Sequence, residues 1–251
     1  MSAFRSLLSQ ALACALVAVG LAFGSAATRA SEEDVDLLLV LAADVSRSID
    51  ETKFKLQRDG YASAIADPAI VRAMQSVGPK RRIGMMFIEW AGVGETKVIV
   101  DWTSIGSTDE ARKFADQVLA APRPFYGRTS IAGAIDVSVE HLNKSPFKSD
   151  RRIIVISGDG TNTAGRDIAE AREQATAAGI TVNGIVILSA VPLPFNPGHT
   201  HPPGGLLAYY QNNVIGGPGC FAVAAESFET FGQALRSKLI KEIASLANDD
   251  D

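Results

Sequence analysis

Short apolar runs alternate with segments of helical spacing along this chain, and the runs have the length of buried strands. The clearest is Leu37–Ala43, which is wholly apolar and stops abruptly at Asp44. Runs rich in Val, Ile and Leu without polar alternation are typical of strands that are covered on both faces. The same pattern predicts strands over Ile83–Trp90, Arg152–Ser157 and Thr181–Leu188, with a short one around Cys220–Ala224. Glu95–Trp102 instead alternates and follows Gly92-Val93-Gly94, which predicts an antiparallel hairpin with the preceding strand.

The segments between these runs predict helices. They cover Ile49–Ala66, Thr108–Ala120, a stretch from Thr129 or Ser130 to Leu142, Asp167–Ala178, Leu206–Asn213 and Ser227–Leu246. The last of them carries an apolar face at helical spacing, made of Phe228, Phe231, Leu235, Leu239 and Ile243. Strands that alternate with helices favour a parallel sheet covered by those helices. The sequence therefore predicts a doubly wound, Rossmann-like α/β fold with a mostly parallel six-stranded sheet, one antiparallel edge strand and helices on both faces.

The first thirty residues have a different character. Arg5 precedes an apolar stretch from Ala11 to Phe23, and small residues follow up to Ala30. This order is typical of a secretory signal peptide, with cleavage near Ala30 or Ala27. An uncleaved membrane anchor is the alternative, but the apolar stretch is short for a membrane span. We therefore expect a signal peptide over residues 1–30 and a single domain over residues 31–251. That domain would be periplasmic or secreted and have no stable membrane anchor.

Composition and charge narrow the class of protein. The 251 residues are 47% apolar and 21% charged, which fits one α/β domain with a sizeable core. The formal net charge is −4, and loss of the leader with its two arginines would make it about −6. Without a basic cluster, this charge argues against nucleic-acid binding. Cys14 lies within the leader, so cleavage would leave Cys220, which we expect in the core, without a disulfide partner.

Oxygen-bearing side chains follow two of the predicted buried strands. Asp44, Ser46 and Ser48 come directly after the first strand, and Asp159 follows the strand Arg152–Ser157. Thr129 lies in a loop before a helix that should return to the same edge. In an open α/β sheet, ligands collect at the carboxyl ends of the strands, so we expect these side chains to converge.

Two carboxylates and three hydroxyls form a donor set that suits a hard divalent cation. The carboxylates balance the charge of the ion, and the hydroxyls supply neutral oxygens. Mg²⁺ is the preferred ion, with Mn²⁺ or Ca²⁺ as alternatives, whereas zinc would favour His or Cys ligands. A purely structural interpretation is also open. In it, Ser48 and Thr129 cap helices and Asp159 starts a turn.

These same residues carry a family resemblance. Asp44-x-Ser46-x-Ser48, Thr129 within Gly127–Ile131, and Asp159-Gly160 after a buried strand resemble the metal-ion-dependent adhesion site of von Willebrand factor type A (vWA) domains. The resemblance extends over about Val35 to Ala247. Finer segments resemble a bacterial group of exported proteins, DUF1194. These segments are Leu56–Tyr61, Glu89-Trp90, Ala121–Pro124, Ser157–Gly160 and Asn213–Gly219.

The resemblance implies a function in protein binding. Ser46, Ser48 and Thr129 would coordinate through their hydroxyls, and Asp44 and Asp159 would bind the ion directly or through water. An open coordination position would accept an Asp or Glu from a partner protein, which the sequence does not identify. One departure is Gly158, because many family members carry Thr or Ser before the Asp, and the lost hydroxyl could weaken metal affinity.

Other functions receive less support from the residues. A metal-dependent hydrolase acting on phosphoesters would need a second metal or a positioned base, for which Glu89 is a weak candidate. A scaffold with a purely structural ion is the third alternative. His199 and His201 could give two metal nitrogens, but they stand in a Pro- and Gly-rich segment that predicts an exposed polar loop. We therefore expect a binding module and not an enzyme.

Overall fold

The fold is built on a central sheet whose inner strands are buried from both sides. The computed structural model describes residues 33–245, and the predicted leader lies outside this range. Its strands are β1 (Glu33–Asp34), β2 (Leu38–Asp44), β3 (Ile83–Trp90), β4 (Thr96–Ile105), β5 (Phe147–Lys148), β6 (Arg152–Gly158), β7 (Thr181–Ile187) and β8 (Ala222–Ala225). Six of them form the main sheet in the order β4-β3-β2-β6-β7-β8. All neighbours are parallel except β3 and β4, which form the predicted antiparallel hairpin.

Eight helices of the described residues surround this sheet. They are α1 (Glu51–Ile65), α2 (Pro68–Met74), α3 (Thr108–Ala120), α4 (Ile131–Asn143), α5 (Ile168–Ala177), α6 (Pro197–Thr200), α7 (Leu206–Asn213) and α8 (Phe231–Ser245). Helices α1, α2, α3 and α8 contribute to the core on one face of the sheet. Helices α4, α5 and α7 contribute to the core on the other face. The predicted doubly wound fold class is thus confirmed.

Strand β2 shows how one apolar run serves both cores. Leu39 and Leu41 point to the side of α1 and α8, whereas Leu38 and Val40 point to the side of α4. All four are at most 2% exposed, because successive side chains of a strand point to opposite faces. The apolar face predicted for the last helix lies in the first core, but α8 begins at Phe231, so Phe228 precedes the helix instead of belonging to it.

Several short elements were not predicted. Helix α2 follows α1 at once, with Asp67 as its N-cap and Pro68 in its first turn. This is a common way to begin a helix, because the first turn does not need the N–H that proline lacks. The two-residue strands β1 and β5 pair across a long sequence separation, and α6 lies in the segment predicted as a loop.

Two expectations at the end of the chain needed adjustment. The last short strand begins at Ala222, so Cys220 lies outside it and is only partly buried rather than a core residue.

Among the described residues, no helix combines the length and the apolar content required to cross a bilayer.

Candidate metal site

The predicted site residues stand at the carboxyl ends of two adjacent central strands. Asp44 is the last residue of β2, and Asp159 directly follows β6, which pairs with β2 in parallel. Ser46 and Ser48 lie in the loop from β2 to α1, and Thr129 lies two residues before α4. Strand β3 pairs with one side of β2, and β6 pairs with the other side. The strand order therefore reverses at β2, which makes the carboxyl edge of this strand a topological switch point.

Four of the five side chains form a continuous series of contacts, and the Asp44 side chain joins them through the backbone of Ser46. Ser48 Oγ donates a hydrogen bond of 2.6 Å to Asp159 Oδ1, and it lies 3.1 Å from Ser46 Oγ. Thr129 Oγ1 donates to Ser46 Oγ at 3.2 Å. The Asp44 carboxylate is oriented by the backbone, because Ser46 N–H donates to its Oδ1 at 2.7 Å. All five residues are at most 6% exposed.

The helix-capping interpretation of two of these residues is wrong. Asp50, not Ser48, caps α1 by accepting a hydrogen bond from Lys53 N–H. Ser130, not Thr129, caps α4 by accepting one from Gly133 N–H. The hydroxyls of Ser48 and Thr129 are therefore not used as caps. Ser48 donates to the Asp159 carboxylate instead, and Thr129 donates to the hydroxyl of Ser46.

Two carboxylate oxygens in this cluster are buried without a hydrogen bond. Among the described residues, neither Asp44 Oδ2 nor Asp159 Oδ2 has a hydrogen-bond partner. Lys53 Nζ lies 3.8 Å from Asp159 Oδ2, but it donates its hydrogen bond to the carbonyl of Ser48 at 3.0 Å. A buried carboxylate oxygen without a partner is costly, and a cation held by these residues would offset that cost.

The burial of the two carboxyl groups also shifts their pKa values. Burial raises the pKa of Asp44 well above 3.8, and the neighbouring Asp159 raises it further. Burial also raises the pKa of Asp159, although the hydrogen bond from Ser48 and the charge of Lys53 act against this. Two carboxylates that repel each other in a buried place fit a divalent cation well. Within residues 33–245, no three His, Cys, Asp or Glu side chains form a metal-binding group. A cation here therefore depends on the hydroxyls.

The loop that carries Ser46 and Ser48 is held by a buried arginine that the prediction did not assign. Arg123 Nη2 donates hydrogen bonds to the carbonyls of Val45, Ser46 and Ile49 at 2.8, 3.1 and 2.7 Å. Its side chain is 4% exposed. Because these are three carbonyls of one loop, a single guanidinium fixes the path between β2 and α1.

A second arginine explains Glu89, which had been considered as a base. Arg58 Nε and Nη2 bind the two oxygens of Glu89 at 2.8 and 2.9 Å, and both residues are buried. Arg58 Nη1 also donates to the carbonyl of Val118 at 2.8 Å and to that of Ala121. Glu89 thus belongs to an ion pair that joins β3, α1 and the end of α3. Arg58 and Arg123 both lie in segments that resemble DUF1194. This resemblance is the sequence feature that could have drawn attention to the two arginines.

The expectation of an exposed loop is wrong for His199. Its side chain is buried, and its Nε2 lies 3.3 Å from Thr129 Oγ1. The residue lies in α6, which folds back towards the site, and no local pattern indicated this. His201, two residues further on, is exposed as expected.

The structure gives a steric reason for the glycine at position 158, where the sequence departs from the vWA pattern. A Cβ at this position would lie 2.6 Å from Tyr210 Oη and 3.1 Å from Asp44 Oδ2. Tyr210 is completely buried, and its hydroxyl has no hydrogen-bond partner among the described residues. The tyrosine hydroxyl of α7 therefore occupies the place beside Asp44 that a Ser or Thr side chain would take.

Comparison with solved structures identifies the fold. The chain is similar to von Willebrand factor type A from Catenulispora acidiphila, with a TM-score of 0.55 and 12% identity over 83% of this chain and 43% of that one. It is similar to the pilus adhesin SpaC from Lactobacillus rhamnosus GG, with a TM-score of 0.60 and 12% identity over 86% of this chain and 31% of that one.

A third similar structure is proximal thread matrix protein 1 from the mussel byssus with a zinc-occupied MIDAS motif. Its TM-score is 0.53 and its identity 16%, over 84% of this chain and 48% of that one. The chain thus spans less than half the length of these proteins. At such identities the likeness shows the fold alone, and that fold is vWA-like.

A search among curated proteins finds no match to this chain. A family model described as "Protein of unknown function (DUF1194)" matches residues 34–247, which is most of the sequence. The chain therefore belongs to the DUF1194 family, and its structure has the vWA-like fold.

Proposed function

We propose that Asp44, Ser46, Ser48, Thr129 and Asp159 hold a divalent cation and that the loaded site binds an acidic side chain of a partner protein. When bound, the ion would supply a positive charge and a coordination position for a carboxylate oxygen from outside the chain. The observation that carries the proposal is the pair of buried carboxylate oxygens without hydrogen bonds, beside three hydroxyls in mutual contact.

The donor chemistry favours a hard ion. Oxygen-only sites with two carboxylates suit Mg²⁺, and Mn²⁺ or Ca²⁺ can take the same ligands. The zinc-occupied MIDAS motif of the mussel protein supports the view that this fold can hold a metal at such a motif.

Charge around the site supports an acidic partner. Arg47 lies between Ser46 and Ser48, Arg128 precedes Thr129, and both are exposed. The two loops are joined by a hydrogen bond of 3.0 Å from Arg47 N–H to the carbonyl of Gly127. Exposed cations beside a binding site attract an acidic surface and raise the rate of association.

Binding is favoured over catalysis because the strongest candidate for a base is engaged elsewhere. Both oxygens of Glu89 are bound by Arg58, so the hydrolase alternative gains nothing from this residue. The printed description of SpaC as a pilus adhesin is in keeping with a binding role for this fold. The signal-peptide-like leader supports a place in the periplasm or outside the cell.

Calorimetric titration of Mg²⁺ and Mn²⁺ into the chelator-treated protein tests the metal site. We expect saturable one-site binding that Asp44→Asn abolishes. Asp50→Asn is the matched control, because Asp50 is exposed in the same loop and asparagine is an equally good helix cap. Equal affinity of the wild type and Asp44→Asn would refute the site.

The partner step needs its own test. Peptides selected from a displayed library in Mg²⁺ should lose binding on addition of chelator, and again when their Asp or Glu is replaced by Asn or Gln. Thr129→Ala should weaken this binding while the fold survives. If Thr129→Ala lowers thermal stability first and leaves peptide binding unchanged, the ion has a structural role only.

A further inference from the structure

Large apolar side chains are exposed around the oxygen cluster. Of the five such side chains that are exposed in the described residues, four lie in loops at the carboxyl edge of the sheet, and each of the four is at least 61% exposed. Val93, in the turn after β3, and Tyr126, in the loop before α4, form a first apolar group. Val191 and Phe195, in the segment between β7 and α6, form a second. Single apolar residues are ordinary on a surface, but their concentration around one site indicates an interaction surface.

The segment that carries the second apolar group is held in place although its side chains are exposed. Prolines at positions 192, 194 and 197 restrict its backbone. Leu193 N–H donates a hydrogen bond of 3.3 Å to Thr200 Oγ1. Just beyond the segment, the ring of His199 lies directly against Gly160, where any Cβ would clash with it. Phe195 is therefore presented by a backbone that loses little conformational entropy when a partner binds.

The first apolar group is also fixed. The ring of Tyr126 lies over the guanidinium of Arg123, whose Cζ is 4.1 Å from the ring centroid, and Tyr126 Oη donates a hydrogen bond of 3.0 Å to Glu51 Oε1. The turn after β3 packs against the same loop, because a Cβ at Gly127 would clash with the carboxylate of Glu95. Rigid, exposed aromatic and apolar side chains are typical of surfaces that bind other proteins.

Exposed arginines lie between the two apolar groups. Arg47 follows β2, which stands between β3 and β7 in the sheet. Arg128 lies in the adjoining loop, whose Gly127 carbonyl accepts a hydrogen bond of 3.0 Å from Arg47 N–H. This charge favours an acidic residue at the centre of the surface, with apolar contacts on both sides of it.

The spacing of the strands sets the length of segment that fits. Strands β3 and β7 are separated by β2 and β6, so they are about 14 Å apart at the usual strand spacing. An extended chain covers this distance in about four residues. A segment that crosses the edge with an acidic residue at its centre would therefore carry its apolar residues about two positions before and after that residue.

We propose that the carboxyl edge binds an extended segment of a partner protein in which an acidic residue is flanked on both sides by large apolar side chains. This inference rests on the proposed function, because the acidic residue is the one that the loaded cation site would bind. Val93 and Tyr126 would contact one flank of the segment, and Val191 and Phe195 the other. The apolar contacts exclude water and add affinity, whereas the acidic residue fixes the register.

A displayed library of short peptides with a fixed central Asp tests the specificity. Selected on the protein in Mg²⁺, it should become enriched in apolar and aromatic residues about two positions from the Asp on both sides. A matched library with a central Asn shows which part of the selection needs the acid. An absence of apolar preference beside the Asp would overturn the inference. Selection that is equally strong with Asn would instead overturn the proposed function.

Serine variants test the surface itself. Val93→Ser and Phe195→Ser each remove one exposed apolar contact and should weaken the selected peptides about tenfold. Calorimetry should show that both variants bind Mg²⁺ as the wild type does. Leu119→Ser is the matched control, because Leu119 is also exposed but lies in the groove between α1 and α3. Losses in Val93→Ser and Phe195→Ser no larger than that in Leu119→Ser would overturn the inference.

A second copy of the chain or a lipid surface could also cover an apolar edge, and both are measurable. Light scattering at rising protein concentration and flotation with phosphatidylglycerol vesicles are applied to the wild type and to Phe195→Ser. We expect a wild type that neither dimerises nor binds the vesicles. Dimerisation or vesicle binding that Phe195→Ser abolishes would overturn the inference in favour of that occupant.

Discussion

Ser48 Oγ donates a hydrogen bond of 2.6 Å to Asp159 Oδ1, across 111 residues of sequence. Both groups are buried, and the bond joins the loop after β2 to the end of β6. It satisfies only one of the two Asp159 oxygens, since Oδ2 has no hydrogen-bond partner among residues 33–245. The fold therefore holds two carboxylates in a place that is unfavourable for them without a cation.

The first prediction concerns the pH dependence of the metal-free protein. Because burial raises the folded-state pKa of Asp44 and Asp159 above the ordinary value of 3.8, the folded protein binds more protons than the unfolded chain above that value. Its stability should therefore fall as pH rises from about 4 through the raised pKa values. Thermal unfolding in chelator across this range measures the effect.

Asp44→Asn provides the comparison for this experiment. The variant lacks one of the two repelling charges, so in chelator at neutral pH it should melt higher than the wild type. Saturating Mg²⁺ should reverse the order. At a free concentration of about one hundred times Kd, binding stabilises the wild type by about 2.7 kcal/mol and leaves the variant unchanged. A wild type that gains no stability from any divalent ion would contradict the metal site.

The second prediction concerns Arg123, which binds three carbonyls of the loop that carries Ser46. Arg123→Lys keeps the charge, but an ammonium cannot reproduce the planar guanidinium contacts. We expect Mg²⁺ affinity to fall by about tenfold or more, because loss of such supporting contacts commonly costs 10- to 100-fold. Calorimetry measures it. Arg128→Lys, at an exposed position, should bind as the wild type does, and an equal loss in both variants would refute this role of Arg123.

The third prediction concerns the buried ion pair of Arg58 and Glu89. Arg58→Met leaves Glu89 buried without its partner and should cost about 3–5 kcal/mol in the free energy of unfolding. The double variant with Glu89→Leu removes the stranded charge and should recover a large part of that loss. Urea unfolding of both single variants and the double variant gives the coupling energy. Additive losses would show that the two side chains do not act as a pair.

The fourth prediction uses the contact of Gly158 with Tyr210. Gly158→Ser restores the more common vWA residue but places its Cβ 2.6 Å from Tyr210 Oη, so it should destabilise the fold by about 1–3 kcal/mol. Tyr210→Phe removes the obstructing oxygen, and the double variant should be more stable than Gly158→Ser alone. Urea unfolding decides this, and a serine that costs the same in both backgrounds would contradict the steric explanation.

The fifth prediction concerns the close approach of α1 and α8 at Gly60. A Cβ there would lie 2.7 Å from Phe231 Cδ1 and 3.0 Å from the backbone nitrogen of Gly232. Gly60→Ala should therefore lower stability by about 1–3 kcal/mol despite the better helix propensity of alanine. Gly198→Ala is a suitable control, because, apart from its chain neighbours and the backbone of its own helix, no heavy atom of the described residues lies within 4 Å of the added Cβ. Denaturant unfolding compares the two, and equal stability would show that the helices can move apart.

Much of the fold was predictable because its signals are local. The buried strands consist largely of apolar runs, as in the first six residues of β2, and the long helices carry apolar faces at helical spacing. The elements that escaped prediction are short. Strands β1 and β5 have two residues each and pair only because the tertiary structure brings positions 33 and 147 together.

The sequence alone determined the doubly wound fold and the meeting of Asp44, Ser46, Ser48, Thr129 and Asp159, because strand ends in a parallel sheet share one edge. Only the tertiary structure decided which groups surround that meeting point. It paired Arg58 with Glu89, aimed Arg123 at three carbonyls, set Tyr210 beside Gly158 and folded His199 onto Thr129. Periodicity along a chain reports the face on which a residue lies. It carries no information about a partner that is distant in sequence, since such contacts arise only when separate elements pack together.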